Sequence, residues 1–97
     1  MTDNLYQRII IVGNEIKGRI HMNNIVIYTS NGCSYCHDAK KFLNENNLPY
    51  IEHNISEDRE AKKELIKKGV MSVPYIIINN QEVRGFYSEE IRTLLNL

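Results

Sequence analysis

The chain holds two cysteines, Cys33 and Cys36, separated only by Ser34 and Tyr35 in the stretch "NGCSYCHDAKKFL". Four chemistries use a pair at this spacing. A structural zinc site takes four ligands, usually as two pairs, and no second pair follows; His37 is adjacent to Cys36 and cannot readily turn to the same ion. The string "CSYCH" matches the attachment pattern for c-type haem, which in most settings requires export and a distal ligand. Met71 is the conceivable one, and no export signal is visible. A purely structural disulfide across two residues closes so short a loop that it constrains the unfolded chain little.

Thiol–disulfide exchange uses both sulfurs. Cys33 follows an apolar run and precedes a helical pattern, which predicts a position at a helix N-terminus, near unpaired backbone N–H groups and the positive dipole end. Both favour a thiolate over a thiol. Cys36, one turn later on the same side, is placed to attack the mixed disulfide that Cys33 forms. It is expected to be less exposed and less acidic.

A second feature fits. "SVP" at 72–74 lies 41 residues after Cys33 (74 − 33), directly before an apolar run. The residue before a proline is held extended, and a cis Val73–Pro74 bond is expected here, against the alternative of an ordinary trans proline at a strand start. If that turn faces the helix start, the Val73 backbone can pair with a substrate backbone in the manner of a strand.

The elements that must position these groups are legible. "IVIYT" (25–29) reads as a buried strand ended by "SNG". From Ser34 to about Asn46, Ala39, Phe42 and Leu43 form one helical stripe. "YIEHN" (50–54) reads as a second strand. Ser56 is the expected N-cap of a helix running to Lys68, with Gly69 as its C′ residue. "YIII" (75–78) and "EVR" (82–84) flank a tight turn at Asn79-Asn80. Gly85 and Ser88 lead into a last helix with Ile91, Leu94 and Leu95. The order β-α-β-α-β-β-α predicts an α/β domain with a four-stranded mixed sheet. Its first two strands are parallel across a crossover and its last two antiparallel.

Residues 1–23 are read as an N-terminal extension, an added strand or hairpin or an incidental fusion segment, and 24–97 as the domain. Of 97 residues, 42% are hydrophobic and 25% charged, with 12 basic against 12 acidic side chains. Such balance gives no general pull toward nucleic acid. Lys62, Lys63, Lys67 and Lys68 alternate with Glu60 and Glu64 and read as a solvated helix face. No apolar run approaches the roughly 20 residues that span a bilayer. A cytoplasmic protein is the expectation, in a compartment where a C-x-x-C pair more often binds metal or does redox chemistry.

"YTSNGCSYCHDAKKFL" together with "SVPYIIINNQEVRGF" resembles the glutaredoxins, from about residue 24 to the C-terminus. The C-x-x-C after the first strand, the S-V-P before the third and the glycine turn before the last helix carry the resemblance by their order and spacing. It implies a thioredoxin-like fold, a cis bond at Pro74, Cys33 as nucleophile and Cys36 as resolving cysteine, and thiol–disulfide oxidoreductase activity on protein disulfides or glutathione mixed disulfides. It implies no tightly bound cofactor, glutathione as a co-substrate, glutathione or thioredoxin reductase as electron donor, and a monomer. Tyr35, Val73, Pro74, Ser88 and Glu89 are the implied substrate- or glutathione-binding residues.

Three departures bear on the donor. Many glutaredoxins carry a lysine, which binds a glutathione carboxylate, where this chain has Ser30. Their G-G-x-D-D segment corresponds here to Gly85-Phe86-Tyr87-Ser88-Glu89, a G-F-x-x-[DE] pattern more like the NrdH-type redoxins. Losing the cation removes one charge-assisted bond, about 1.5–3 kcal/mol or ten- to hundredfold in affinity. Ser34 stands where many relatives have proline and restores an N–H near the Cys33 sulfur. Relatives with Ser or Gly there sometimes hold a [2Fe–2S] cluster between two subunits, so a cluster or metal carrier using Cys33 is the alternative function.

Overall fold

The computed structural model describes residues 23–97. Within them the elements are β1 (Ile25–Thr29), α1 (Ser34–Glu45), β2 (Ile51–Asn54), α2 (Arg59–Lys67), β3 (Tyr75–Ile78), β4 (Gln81–Arg84) and α3 (Ser88–Leu95). The expected order is thus observed. Apart from Asn23, the extension read over 1–23 lies outside the described residues.

The strands form one mixed sheet in the order β2-β1-β3-β4. β1 pairs parallel with β2 and antiparallel with β3, and β3 pairs antiparallel with β4. The two central strands are apolar at nearly every position because both faces are covered. Ile25, Ile27, Ile76 and Ile78 pack with Ala39, Phe42 and Leu43 of α1 and Ile91 and Leu95 of α3. Tyr28 and Tyr75 point the other way, onto Ala61 and Leu65 of α2 and onto Val70. Period-two alternation therefore sorts each strand between two cores.

Loop chemistry closes the frame. Asn79 and Asn80 take φ of 49° and 72°, the positive values expected of a two-residue hairpin turn. Gly69 follows α2 with φ +74°, as a left-handed C′ residue does.

The start of α2 differs from expectation. Its N-cap is Asp58, whose Oδ1 accepts from the Ala61 N–H at 3.1 Å. The Ser56 hydroxyl is occupied elsewhere, accepting the Asn31 N–H at 3.0 Å, while the Ser56 N–H donates to Asn54 Oδ1. Ser56 thus ties the loop after β1 to the loop after β2. Two strand ends also shift by one residue, β2 beginning at Ile51 and β4 at Gln81.

Candidate active site

β1 ends at Thr29, and the loop through Gly32 (φ +77°) turns the chain into α1. Cys33 is the N-cap of that helix, with extended φ and ψ of −92° and 106°. Its sulfur does what a serine or aspartate oxygen does at this position: Cys33 Sγ accepts the Cys36 backbone N–H at 3.1 Å. The first turn of α1 contains no acidic side chain, so a Cys33 thiolate has no carboxylate there to oppose it.

Cys33 and Cys36 are joined as a disulfide, their Cα atoms 5.2 Å apart. The two sulfurs are unequally accessible. Cys33 is half-buried at the mouth of the helix, whereas Cys36 is only 2% exposed and belongs to the inward stripe with Ala39, Phe42 and Leu43. A substrate approaching from solvent meets Cys33 first.

The Val73–Pro74 peptide bond is cis, and the Val73 carbonyl oxygen lies 3.9 Å from Cys33 Sγ. The turn before β3 and the start of α1 therefore face each other. Pro74 is buried, and its carbonyl accepts the Gly85 N–H at 2.9 Å, bringing the end of β4 to the same place. An open groove of about 290 Å³ results, lined by Tyr35, Val73, Pro74, Gly85, Phe86 and Tyr87. No charged side chain lines it.

Of the residues singled out in the sequence, Cys33, Cys36, Tyr35, Val73 and Pro74 are thus brought together. Ser88 lines a different groove with Asp38, Lys41, Phe42, Glu45, Phe86 and Arg92. Glu89 is exposed on α3, its backbone carbonyl accepting the Thr93 hydroxyl at 3.0 Å. Tyr87 joins the cysteine groove instead, 59% exposed. The sequence signal for it was a large aromatic directly after Gly85-Phe86, a position fixed only once the β3–β4 hairpin is folded.

Beneath the site, the buried Thr29 hydroxyl donates to Glu52 Oε2 at 2.6 Å, and Lys40 Nζ donates to the same oxygen at 2.9 Å. The Thr29 hydrogen bond, the largest influence, holds the Glu52 carboxyl below its ordinary pKa of 4.5; burial opposes it, and Lys40 adds to the lowering. On the far side of the sheet, burial and then the Glu64 carboxylate, which accepts the Tyr28 hydroxyl at 3.2 Å, push the Tyr28 pKa up. Among the described residues, no three His, Cys, Asp or Glu side chains converge as a metal site.

A family model for glutaredoxin matches residues 25–83, taking in the cysteine pair, the cis-proline turn and all of the sheet but Arg84. The chain belongs to the glutaredoxin family.

Members of that family are thiol–disulfide oxidoreductases. Glutaredoxin 1 of Rickettsia conorii is 40% identical over 67 residues, covering 66% of either chain. The N-acetyl-S-hydroxy-L-cysteine reductase of Bacillus subtilis is 39% identical over 56 residues, 57% of this chain and 60% of that one. The glutaredoxin chain thus spans about two thirds or less of the length of these curated relatives. Among solved structures, the glutaredoxin-like NrdH-redoxin of Escherichia coli shares 28% identity with a TM-score of 0.67, covering 73% of this chain and 93% of its own. The mixed sheet, the three helices and these neighbours make the fold thioredoxin-like.

Proposed function

We propose that this glutaredoxin is a dithiol oxidoreductase that reduces protein disulfides, with Cys33 as nucleophile and Cys36 as resolving cysteine. The observation that carries the reading is the Cys36 N–H aimed at Cys33 Sγ from the first turn of α1. In the reduced protein the same donor, together with the positive helix end, stabilises negative charge on that sulfur.

The Cys33 thiolate attacks one sulfur of the substrate disulfide. A Cys33–substrate bond forms, the substrate S–S bond breaks, and the departing thiolate takes a proton. Cys36 then gives up its proton and attacks Cys33 Sγ, which expels the second substrate thiolate to take up a proton in its turn and leaves the Cys33–Cys36 disulfide seen here. Two electrons and two protons have passed to the substrate. The Val73 carbonyl, 3.9 Å from Sγ, runs alongside the substrate backbone in the mixed disulfide.

Glutathione is a weakly held co-substrate in this reading, and a protein of the thioredoxin reductase class regenerates the dithiol. The groove beside the disulfide has no cation to meet a carboxylate, and Ser30 stands where relatives place lysine. The protein acts as a monomer in the cytoplasm, where such a reductase keeps thiols reduced. A cluster carrier using Cys33 would need further ligands from outside the described residues.

The test is substitution of each cysteine. Cys33→Ser should abolish reduction of a model disulfide, and Cys36→Ser should accumulate a covalent adduct with the substrate, visible by mass spectrometry. Unchanged turnover by Cys33→Ser would overturn the assignment.

A further inference from the structure

A second groove of about 240 Å³ shares Val73 with the cysteine groove. Its walls are Ile55, Leu65, Ile66, Val70, Met71 and Val73, with Lys62 as the one charged residue and Ser72 at the turn. Exposed apolar surface is costly and tends to mark a contact site. Among the described residues six large apolar side chains are exposed. Four of them, Tyr35, Tyr87, Ile66 and Met71, line the two grooves that meet at Val73. Met71, 89% exposed on a turn, makes no use of its side chain in the fold.

We propose that this groove takes an apolar side chain of the protein substrate, near the cysteine that Cys33 attacks. The proposal rests on the oxidoreductase reading and adds a substrate class to it: disulfides set in an extended segment with an aliphatic residue two positions from the cysteine. Continuity with the reacting sulfur argues for this occupant. A polypeptide bonded to Cys33 passes the Val73 carbonyl, and Val73 is a wall of both grooves. In an extended segment, side chains two residues apart point to the same face about 7 Å from one another. A cysteine facing Cys33 therefore directs its second neighbour at the same surface. Lys62 at the rim suits an acidic residue beyond the aliphatic one. Glutathione has no apolar side chain to place there.

The test uses the full chain, reduced beforehand and freed of reductant, in single-turnover reactions with two cyclic peptide disulfides. One carries leucine two positions before and after a cysteine, the other serine at both. The Cys33–Cys36 disulfide forms as the peptide bond opens to two thiols, so the appearance of peptide thiol is the readout. The leucine peptide should react about tenfold faster, the discrimination expected of a partly enclosed apolar pocket. Met71→Ser and Ile66→Asn should bring that ratio close to one; both side chains are more than half exposed, so the fold tolerates their loss. Ile51→Asn, equally exposed but outside the groove, should keep the ratio.

Equal rates for the two peptides in the unsubstituted protein would overturn the proposal while leaving the oxidoreductase reading intact. Equal rates together with a dimer that Met71→Asp dissolves would assign the groove to a second copy and overturn it as well. Failure to reduce either peptide would sink the underlying reading, and the proposal with it.

Discussion

The Cys36 backbone N–H sits 3.1 Å from Cys33 Sγ, so the sulfur that reacts and the residue that resolves are joined by a helix-capping hydrogen bond. Free cysteine titrates near 8.5, and a cysteine at a helix N-terminus in a C-x-x-C motif falls below that by roughly one unit or more. The reduced protein should therefore be alkylated by iodoacetamide at Cys33 with a midpoint well below 8.5. Cys36, buried in the helix stripe, should react only at higher pH and far more slowly. A Cys33 midpoint at the free-cysteine value would remove the basis of the proposed mechanism.

Asp58 and Ser56 offer a paired stability test of where α2 begins. Asp58→Ala removes the hydrogen bond to the Ala61 N–H and should cost about 1 kcal/mol, lowering the melting temperature by roughly 4–8 °C in a domain of this size. Ser56→Ala should cost less, because it loses a single bond to Asn31 in an exposed loop. The opposite ranking would place the cap at Ser56.

That helix start shows what the sequence leaves open. Ser56 and Asp58 are both good capping residues, and the choice between them is made by Asn31, 25 positions earlier, which claims the serine hydroxyl. Other elements needed no distant information. "IVIYT" and "YIII" are apolar at nearly every position because helices cover both faces, and Asn79-Asn80 is itself the turn signal. The cysteine pair was legible from spacing alone, and the proline turn from its position before β3. Gly85, Phe86 and Tyr87 reach the site only through the folded β3–β4 hairpin and the bond from Gly85 N–H to Pro74. Of the two residues at the start of the last helix read as binding residues, Ser88 lines the neighbouring groove and Glu89 is exposed on α3.

Gly85 has φ of +121°, and a Cβ there would stand 2.8 Å from the Tyr87 ring. Gly85→Ala should therefore strain the backbone by roughly 1–3 kcal/mol and push Tyr87 out of the groove it shares with Tyr35. Denaturant unfolding should show the loss of stability, and disulfide reduction should slow even at temperatures where the variant stays folded. Full retention of both would mean that the groove does not depend on this turn.

Glu52 gives the domain an acid sensitivity whose sign is fixed. Its folded pKa is depressed below 4.5, first by the Thr29 hydroxyl and then by Lys40. The carboxylate therefore stabilises the fold above its unfolded pKa, and that contribution is lost as pH falls through the folded value. Between neutral pH and about pH 3, the unsubstituted protein should lose more unfolding free energy than Glu52→Gln or Thr29→Val. Parallel pH profiles for all three would show that the interaction contributes nothing.

The absence of charge around the cysteine groove leads to a prediction of gained function. Glutathione carries two carboxylates, and the groove lined by Tyr35, Val73, Pro74, Gly85, Phe86 and Tyr87 provides neither with a cation. In an NADPH-coupled assay, turnover should be efficient with thioredoxin reductase and poor with glutathione plus its reductase. Ser30→Lys supplies the missing cation just after β1, and one charge-assisted bond corresponds to about ten- to hundredfold in affinity. The variant should therefore raise kcat/KM in the glutathione-coupled assay by at least about tenfold, chiefly through a lower KM, because the new contact binds without touching the sulfurs. Efficient glutathione turnover before the substitution, with no gain after it, would show that the carboxylates are held elsewhere and that the donor assignment is wrong.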